Sequence, residues 1–240
     1  MTDSKDDRNL VATPSSDSEV LAFTRQARTL AKKEVNNKRG RLIFALDATA
    51  SRQPTWDIAC KLQGDMFEAV ESVGSLQVQL CYYRGYDECQ ASHWFDNARG
   101  MHQAMKSVEC AGGQTQIERV LRHALTESKE SGAKALAFVG DCIEEDINVL
   151  ARLAGKLGLY SVPVFVFHEG RNRTAEFGFK QIAKLSGGAY CRFDSLSSDK
   201  LRDLLKAVAV YTACGAEALK LLKFSSPGLE DFRKQIEAKG

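Results

Sequence analysis

The sequence predicts an α/β fold, with helices on both faces of a doubly wound, mostly parallel six-stranded sheet that has one antiparallel edge strand. From residue 41 onward, short apolar runs alternate with segments of helical periodicity, and this alternation is typical of parallel sheets. The connection between the second and third predicted strands, residues 84–89, is much shorter than the roughly dozen residues that a parallel crossover requires. These two strands are therefore predicted to pair as an antiparallel hairpin.

Each element follows from its apolar spacing and its flanking turn or capping residues. The run 42–46 has no polar interruption, as expected of a central strand covered on both faces, and Pro54 suits the first turn of the next helix. Strands are predicted at 42–46, 76–83, 90–95, 134–140, 161–167 and 189–193. Helices are predicted at about 54–73, 97–108, 115–130, 144–157, 174–185 and 198–223, the last with a break near Gly215.

The two ends of the chain differ in composition from the middle. Residues 1–16 contain few large apolar residues, which predicts a disordered N-terminus. Residues 17–40 are predicted to form a capped helix to about Val35 and then a polar linker. The folded domain is predicted at 41–223, and residues 224–240 are expected to form a polar C-terminal tail that is loosely docked.

Composition and charge exclude several classes of function. The net charge of +2 over 240 residues provides no general attraction to nucleic acid or to an anionic membrane. No run approaches the roughly 20 apolar residues of a membrane-spanning helix, and the polar N-terminus does not resemble a signal peptide. Seven scattered cysteines without a C-x-x-C pair are typical of reduced thiols. The protein is therefore expected to be cytoplasmic.

Polar side chains follow the first predicted strand at alternate positions. Asp47, Thr49 and Ser51 are spaced two residues apart, so an extended turn would direct their oxygens the same way. Three hard oxygen donors at the carboxyl end of a buried strand indicate a divalent-cation site. The same residue types are also ordinary turn formers, so a simple polar turn is the alternative.

Two later segments place similar groups at the same edge of the predicted sheet. Asp141 ends the strand 134–140, and ligands of such sheets bind beyond the carboxyl ends of the strands. If the two strands are neighbours, Asp47 and Asp141 face one cleft. The glycine-rich segment 112–115 places the Thr115 hydroxyl at the start of a helix, where it could cap the helix or turn toward the cleft.

These segments resemble a known binding site. DATAS at 47–51, GGQT at 112–115 and VGDC at 139–142 come in the order of the metal-ion-dependent adhesion site of von Willebrand factor A domains. LSGGAY at 185–190 resembles the turn before the last strand of that fold. The resemblance covers about residues 41–210 and is to bacterial-type, intracellular members of the family.

The resemblance implies a Rossmann-like fold and a binding mode. Mg²⁺ or Mn²⁺ would be held by the two carboxylates and three hydroxyls, and the ion would accept an Asp or Glu side chain from a partner protein within an intracellular multiprotein assembly. The implied ligands are Asp47, Thr49, Ser51, Thr115 and Asp141. The chain departs from the family pattern in having Thr49 in place of serine, which keeps the hydroxyl, and Cys142 in place of the usual glycine.

Three acidic residues, 144–146, come shortly after Asp141. They could complement the dipole at a helix start, or Glu144 could accept a hydrogen bond from metal-bound water.

The main alternative function is a metal-dependent hydrolase, similar to phosphatases of the haloacid dehalogenase type, that would use Asp47. Those enzymes need a second Asp two residues after the nucleophile as general acid, and this chain has Thr49 there. Neither glycine-rich nucleotide-binding motif is present. The sequence therefore predicts a non-enzymatic, cation-dependent protein-binding module.

Overall fold

The computed structural model describes residues 40–71, 74–194, 198–221 and 229–237. The strands are β1 (Gly40–Asp47), β2 (Leu76–Arg84), β3 (Glu88–Phe95), β4 (Ala135–Gly140), β5 (Val164–Glu169) and β6 (Tyr190–Phe193). The α-helices are α1 (Gln53–Leu62), α2 (Gly64–Glu71), α3 (Ala98–Lys106), α4 (Ile117–Glu130), α5 (Ile147–Leu159), α6 (Arg173–Ser186), α7 (Ser198–Cys214) and α8 (Leu229–Glu237). Short 3-10 helices span Ala50–Arg52 and Ala216–Leu221.

The strands form one six-stranded sheet in the order β3-β2-β1-β4-β5-β6. Every neighbouring pair is parallel except the hairpin of β2 and β3, which is antiparallel at the sheet edge. The predicted fold class is thereby confirmed. The strand order reverses between β1 and β4, which places the topological switch point between these two strands.

Both faces of the sheet are covered, and β1 shows this most clearly. Leu42, Phe44 and Leu46 belong to the hydrophobic cluster that includes residues of α1, α2, α3, α7 and α8, whereas Ile43 and Ala45 belong to a second cluster that includes residues of α4, α5 and α6. All five side chains are at most 1% exposed. The uninterrupted apolar run is therefore that of a doubly covered strand.

The predicted helix at 54–73 is wrong as a single element. The structure has two helices, α1 and α2, which are interrupted at Gln63. The Gln63 side chain donates a hydrogen bond to the Ala98 carbonyl (3.1 Å). Gly64, which follows, stabilises a continuous helix less than any residue except proline.

Two element boundaries differ from the prediction in ways that matter for the site. β5 begins only after Ser161, which has a positive φ of 55°, and continues to Glu169 rather than ending at Phe167. Helix α5 begins at Ile147 because the Asp146 side chain caps it by accepting from the Asn148 amide (2.8 Å). The longer β5 places Glu169 at its carboxyl end, and the later start of α5 leaves Glu144 and Glu145 in the loop after β4.

The C-terminal segment contains a packed helix. Phe232 of α8 is 1% exposed, and its ring lies against Phe165 and Phe167 of β5, with centroid separations of 6.0 and 5.9 Å. The expected loose docking therefore does not hold for residues 229–237. The predicted break near Gly215, where φ is 83°, is present between α7 and the second 3-10 helix.

The predictions for residues 1–16 and 17–39 lie outside the described residues, and the domain boundaries at 41 and 223 stay predictions. None of the described helices is long and apolar enough to cross a membrane.

Candidate metal site

The candidate site lies at the switch point, where polar side chains form a row across the ends of four strands. Asp47 pairs with Tyr83 of β2, and Gly140 of β4 pairs with His168 of β5. The strand pairing therefore places Asp141, one residue beyond Gly140, between the end of β1 and Glu169 at the end of β5.

Asp47 is a nearly buried carboxylate whose hydrogen-bond donors, within the described ranges, are neutral groups. It is 4% exposed; its Oδ1 accepts from the Thr49 amide (2.7 Å), and its Oδ2 accepts from the Tyr83 hydroxyl (3.0 Å). Burial raises the pKa of Asp47, and the charge of Asp141 raises it further, while the hydrogen bonds from Thr49 and Tyr83 act in the opposite direction. Within the described part of the chain, Asp47 forms no ion pair.

The glycine-rich loop lies directly beside the DATAS segment. The Ala111 amide donates to the Ala48 carbonyl (3.0 Å), and Ala111 forms an isolated bridge with Thr49. Gly113 packs against Gly85 in the β2–β3 turn so closely that a Cβ atom would lie 2.0 Å from the Gly85 carbonyl oxygen. Only glycine fits at position 113, and this contact fixes the loop that carries Thr115.

Thr115 is held by two glutamates rather than by its own helix. Its amide donates to Glu144 Oε2 (2.8 Å) and its hydroxyl to Glu145 Oε2 (2.5 Å), while that hydroxyl accepts from the Glu144 amide (3.0 Å). Glu145 also accepts from the first amides of α4, those of Ile117 and Glu118. Glu145 therefore caps α4, and the Thr115 oxygen keeps one lone pair for another contact.

Arg52 connects the ends of β4 and β5. Its Nη2 lies 3.3 Å from Asp141 Oδ2, and its Nη1 lies 2.6 Å from Glu169 Oε2. The Thr55 hydroxyl of α1 also donates to Glu169. Ser51 is exposed, and its Oγ accepts a long hydrogen bond (3.4 Å) from Arg52 Nε.

The structure thus places the predicted residues in two groups. Asp47 accepts a hydrogen bond from the Thr49 amide and lies close enough to Asp141 for that charge to raise its pKa, whereas Thr115 is hydrogen-bonded to Glu144 and Glu145. Glu144 lies beside Thr115, and its contact with metal-bound water stays a prediction. The sequence did not indicate Tyr83, Arg52 or Glu169 as site residues, and it placed Glu145 at the start of its own helix rather than as the cap of α4.

The Cys142 side chain lies beside the site. It is a free thiol, and Asn172 Nδ2 lies 3.8 Å from its Sγ. Burial raises its pKa, and the charges of Asp141 and Glu144 add to the effect. The thiol is therefore kept protonated, as expected for an unreactive small side chain.

The donor set fits a hard divalent cation. Among the described residues, no three His, Cys, Asp or Glu side chains are arranged to hold a metal together, so a cation would need hydroxyl ligands in addition to Asp47 and Asp141. Thr49, Ser51 and Thr115 supply such oxygens, which suit Mg²⁺ or Mn²⁺. The site has excess negative charge among the described residues: Arg52 is the one cation that pairs with any of its five carboxylates, which are Asp47, Asp141, Glu144, Glu145 and Glu169.

The fold and this site define a Rossmann-like α/β domain with a cluster of oxygen donors at its switch point. No protein-family model and no curated protein matches the sequence. Solved structures do match. One is a von Willebrand factor type A protein from Catenulispora acidiphila, with a TM-score of 0.60 and 12% identity over 73% of this chain and 43% of that one.

Two further matches were solved with metal ions. Proximal thread matrix protein 1 from the mussel byssus, with a zinc-occupied MIDAS motif, has a TM-score of 0.56 and 14% identity over 71% of this chain and 46% of that one. Manganese-loaded TRAP protein from Plasmodium vivax has a TM-score of 0.51 and 13% identity over 70% and 72%. This chain therefore has the fold of von Willebrand factor A domains, and it spans less than half the length of the first two proteins.

Proposed function

We propose that this chain is a divalent-cation-dependent protein-binding module of the von Willebrand factor A type. The cation is held by Asp47, Thr49, Ser51, Thr115 and Asp141. The observation that supports this most strongly is the pairing of Asp47 with Asp141: two neighbouring carboxylates, one nearly buried and without an ion pair among the described residues. A buried carboxylate without a cation is costly, and a divalent ion removes that cost.

The hydroxyl ligands determine what the ion can do next. Because Thr49, Ser51 and Thr115 are neutral, two carboxylates leave the ion without excess negative charge, and its water-filled positions can exchange. An Asp or Glu side chain of a partner protein is the natural ligand for such a position. The zinc in the mussel protein and the manganese in TRAP support divalent-cation binding on this fold, and the oxygen-only donor set favours Mg²⁺ or Mn²⁺ here.

We further propose that the module is not a hydrolase. Thr49 stands where a phosphatase of the haloacid dehalogenase type needs a carboxylate, and it cannot act as the general acid. An assay with an aryl phosphate and Mg²⁺ tests this point. Metal-dependent turnover that Asp47→Asn abolishes would establish the hydrolase and exclude the present proposal.

Metal binding is tested by thermal unfolding with and without Mg²⁺, Mn²⁺ or Zn²⁺. At a concentration about 100-fold above the dissociation constant, an ion that binds only the folded protein adds about 2.7 kcal/mol of stability, or about 5–11 °C in melting temperature for a domain of this size. Asp47→Ala and Asp141→Ala should abolish this rise. Glu68→Ala, which removes an exposed carboxylate from α2, should retain it. An unchanged wild-type melting curve at saturating metal would exclude the site.

Partner binding is tested by affinity capture from cell extract with Mg²⁺ or with EDTA. A partner that coordinates the ion should be lost both with EDTA and with Asp47→Ala, and should be retained by Glu68→Ala. Membership of a multiprotein assembly predicts that several proteins are captured together. Binding that is insensitive to EDTA would show that the partner contacts another surface.

A further inference from the structure

Arg52 is a cationic side chain that lies within the candidate metal site. It directly follows the DATAS segment, and its guanidinium lies between Asp141 (3.3 Å) and Glu169 (2.6 Å). The Arg52 side chain is only 15% exposed, so these contacts are largely shielded from water. A positive group of the protein itself thus contacts Asp141, one of the two carboxylates assigned to the cation.

The two contacts of Arg52 are unequal. Glu169 is close to Arg52, its side chain is 9% exposed, and the Thr55 hydroxyl holds it from the other side. Asp141 is farther from Arg52, and its side chain is 29% exposed. Glu169 is therefore the carboxylate that fixes Arg52 in place, and Asp141 is the partner that can be released.

We infer that Arg52 competes with the divalent cation for Asp141 and that Glu169 restrains this competition. In the metal-free protein, Arg52 neutralises Asp141. When the cation binds, Asp141 exchanges the guanidinium for the ion, and Arg52 stays on Glu169. Arg52 and Glu169 therefore set the metal affinity of the site without being ligands. This inference rests on the proposed function, because it requires the cation to bind at Asp141.

The inference predicts effects of opposite sign from the two halves of one ion pair. In calorimetric titrations with MgCl₂, Arg52→Gln should bind roughly three- to tenfold more tightly than wild type, because a competing charge is removed. Glu169→Gln should bind more weakly by a similar factor, because the released Arg52 pairs more fully with Asp141. Thr55→Val should weaken binding slightly, because it loosens Glu169 without changing any charge.

Arg202→Gln is the matched control. Arg202 also contacts two carboxylates, Asp65 (2.8 Å) and Asp199 (2.5 Å), but on α2 and α7. Its loss should leave the Mg²⁺ affinity unchanged, which separates a local competition from a change in net charge.

Thermal unfolding without metal supplies the second measurement. Arg52→Gln and Glu169→Gln should both lower the metal-free melting temperature, since each breaks the same ion pair. If Arg52 had a purely structural role, Arg52→Gln and Glu169→Gln would change the Mg²⁺ affinity in the same direction rather than in opposite directions. Wild-type binding combined with equal or weaker binding by Arg52→Gln overturns the inference and leaves the proposed function intact. Absence of Mg²⁺ binding by both proteins overturns the proposed function and the inference together.

Discussion

Asp47 and Glu169 are two carboxylates at the same edge of one sheet, and the chain treats them differently. Both are nearly buried, at 4% and 7% exposure, and they end β1 and β5 respectively. Glu169 is paired with the Arg52 guanidinium and the Thr55 hydroxyl. Among the described residues, Asp47 receives hydrogen bonds only from neutral donors, the Thr49 amide and the Tyr83 hydroxyl.

The difference shows where an external cation has most to contribute. A buried charge is tolerated when a partner neutralises it, and removing that partner is costly. Glu169 has such a partner within the protein, so an added ion would gain little there. Asp47 has none among the described residues, and burial together with the charge of Asp141 raises its pKa. Glu169 is thus neutralised within the protein, whereas Asp47 is the carboxylate that a bound cation would stabilise.

The largest expected effect comes from removing the neutralised carboxylate. Glu169→Ala leaves Arg52 in a shielded position with only the longer contact to Asp141, so we expect a loss of about 3 kcal/mol in the free energy of unfolding. Urea unfolding in EDTA measures this loss. Glu118→Ala, which breaks the exposed pair with Arg122 on α4, should cost less than about 0.5 kcal/mol. Equal losses in the two variants would show that water already solvates Arg52.

A smaller loss is expected from the uncompensated side. Tyr83→Phe removes the buried hydroxyl that donates to Asp47, and a hydrogen bond to a charged group contributes about 1.5–3 kcal/mol. We therefore expect a loss of about 2 kcal/mol in metal-free urea unfolding. The neighbouring Tyr82 is only partly buried and is the matched control, because Tyr82→Phe should change stability by less than about 0.5 kcal/mol. An unchanged free energy of unfolding in Tyr83→Phe would show that this hydrogen bond does not stabilise the Asp47 carboxylate.

The sequence predicts this edge of the sheet only in part. Asp47 and Asp141 are predictable because each directly follows an uninterrupted apolar run, and such runs end where parallel sheets bind ligands. Glu169 is not predictable in this way, because the predicted strand runs from 161 to 167. In the structure, Pro163 and Ser161, with its positive φ, precede the strand, which runs from Val164 to Glu169. A boundary shift of two residues was enough to leave Glu169 in a loop.

Long-range partners are the other part that periodicity does not reveal. Glu145 caps α4 from the loop before α5, and Arg52 reaches the ends of β4 and β5 from the first crossover. Local rules placed Glu145 at the start of its own helix and made Thr115 the candidate cap. The signal that could have found Glu145 is the Asp146-x-Asn148 start of α5, since Asp146 as cap leaves Glu145 outside the helix.

Neutralising Asp47 should have the opposite sign from removing Glu169. In Asp47→Asn, the amide oxygen still accepts from the Thr49 amide, and the NH₂ group can donate to the Tyr83 hydroxyl. The substitution removes the charge repulsion by Asp141. We expect the metal-free protein to gain about 1 kcal/mol, or about 2–4 °C in melting temperature, and to lose the Mg²⁺-dependent rise. Differential scanning calorimetry in EDTA and in MgCl₂ measures both effects. A lower metal-free melting temperature would show that Asp47 is already compensated within the protein.

The smallest effect is a pH dependence that must be separated from that of the carboxylates. Burial lowers the pKa of His123, whose Nε2 lies 2.8 Å from Gln79 Oε1. The folded protein then binds fewer protons than the unfolded chain. The contribution of His123 to stability is therefore complete above the unfolded pKa of about 6.5, and it is lost as the pH falls from there through the lowered pKa of the folded state. The raised pKa of Asp47 has the opposite effect on stability, because protonation at low pH removes the cost of burying its charge.

In urea unfolding with EDTA at pH 7.5 and 5.5, His123→Gln should therefore lose less stability on acidification than wild type does. The exposed His93 provides the control variant His93→Gln. An unchanged loss in His123→Gln would assign the acid sensitivity to other groups, of which the buried His168, with its lowered pKa, is the first to test.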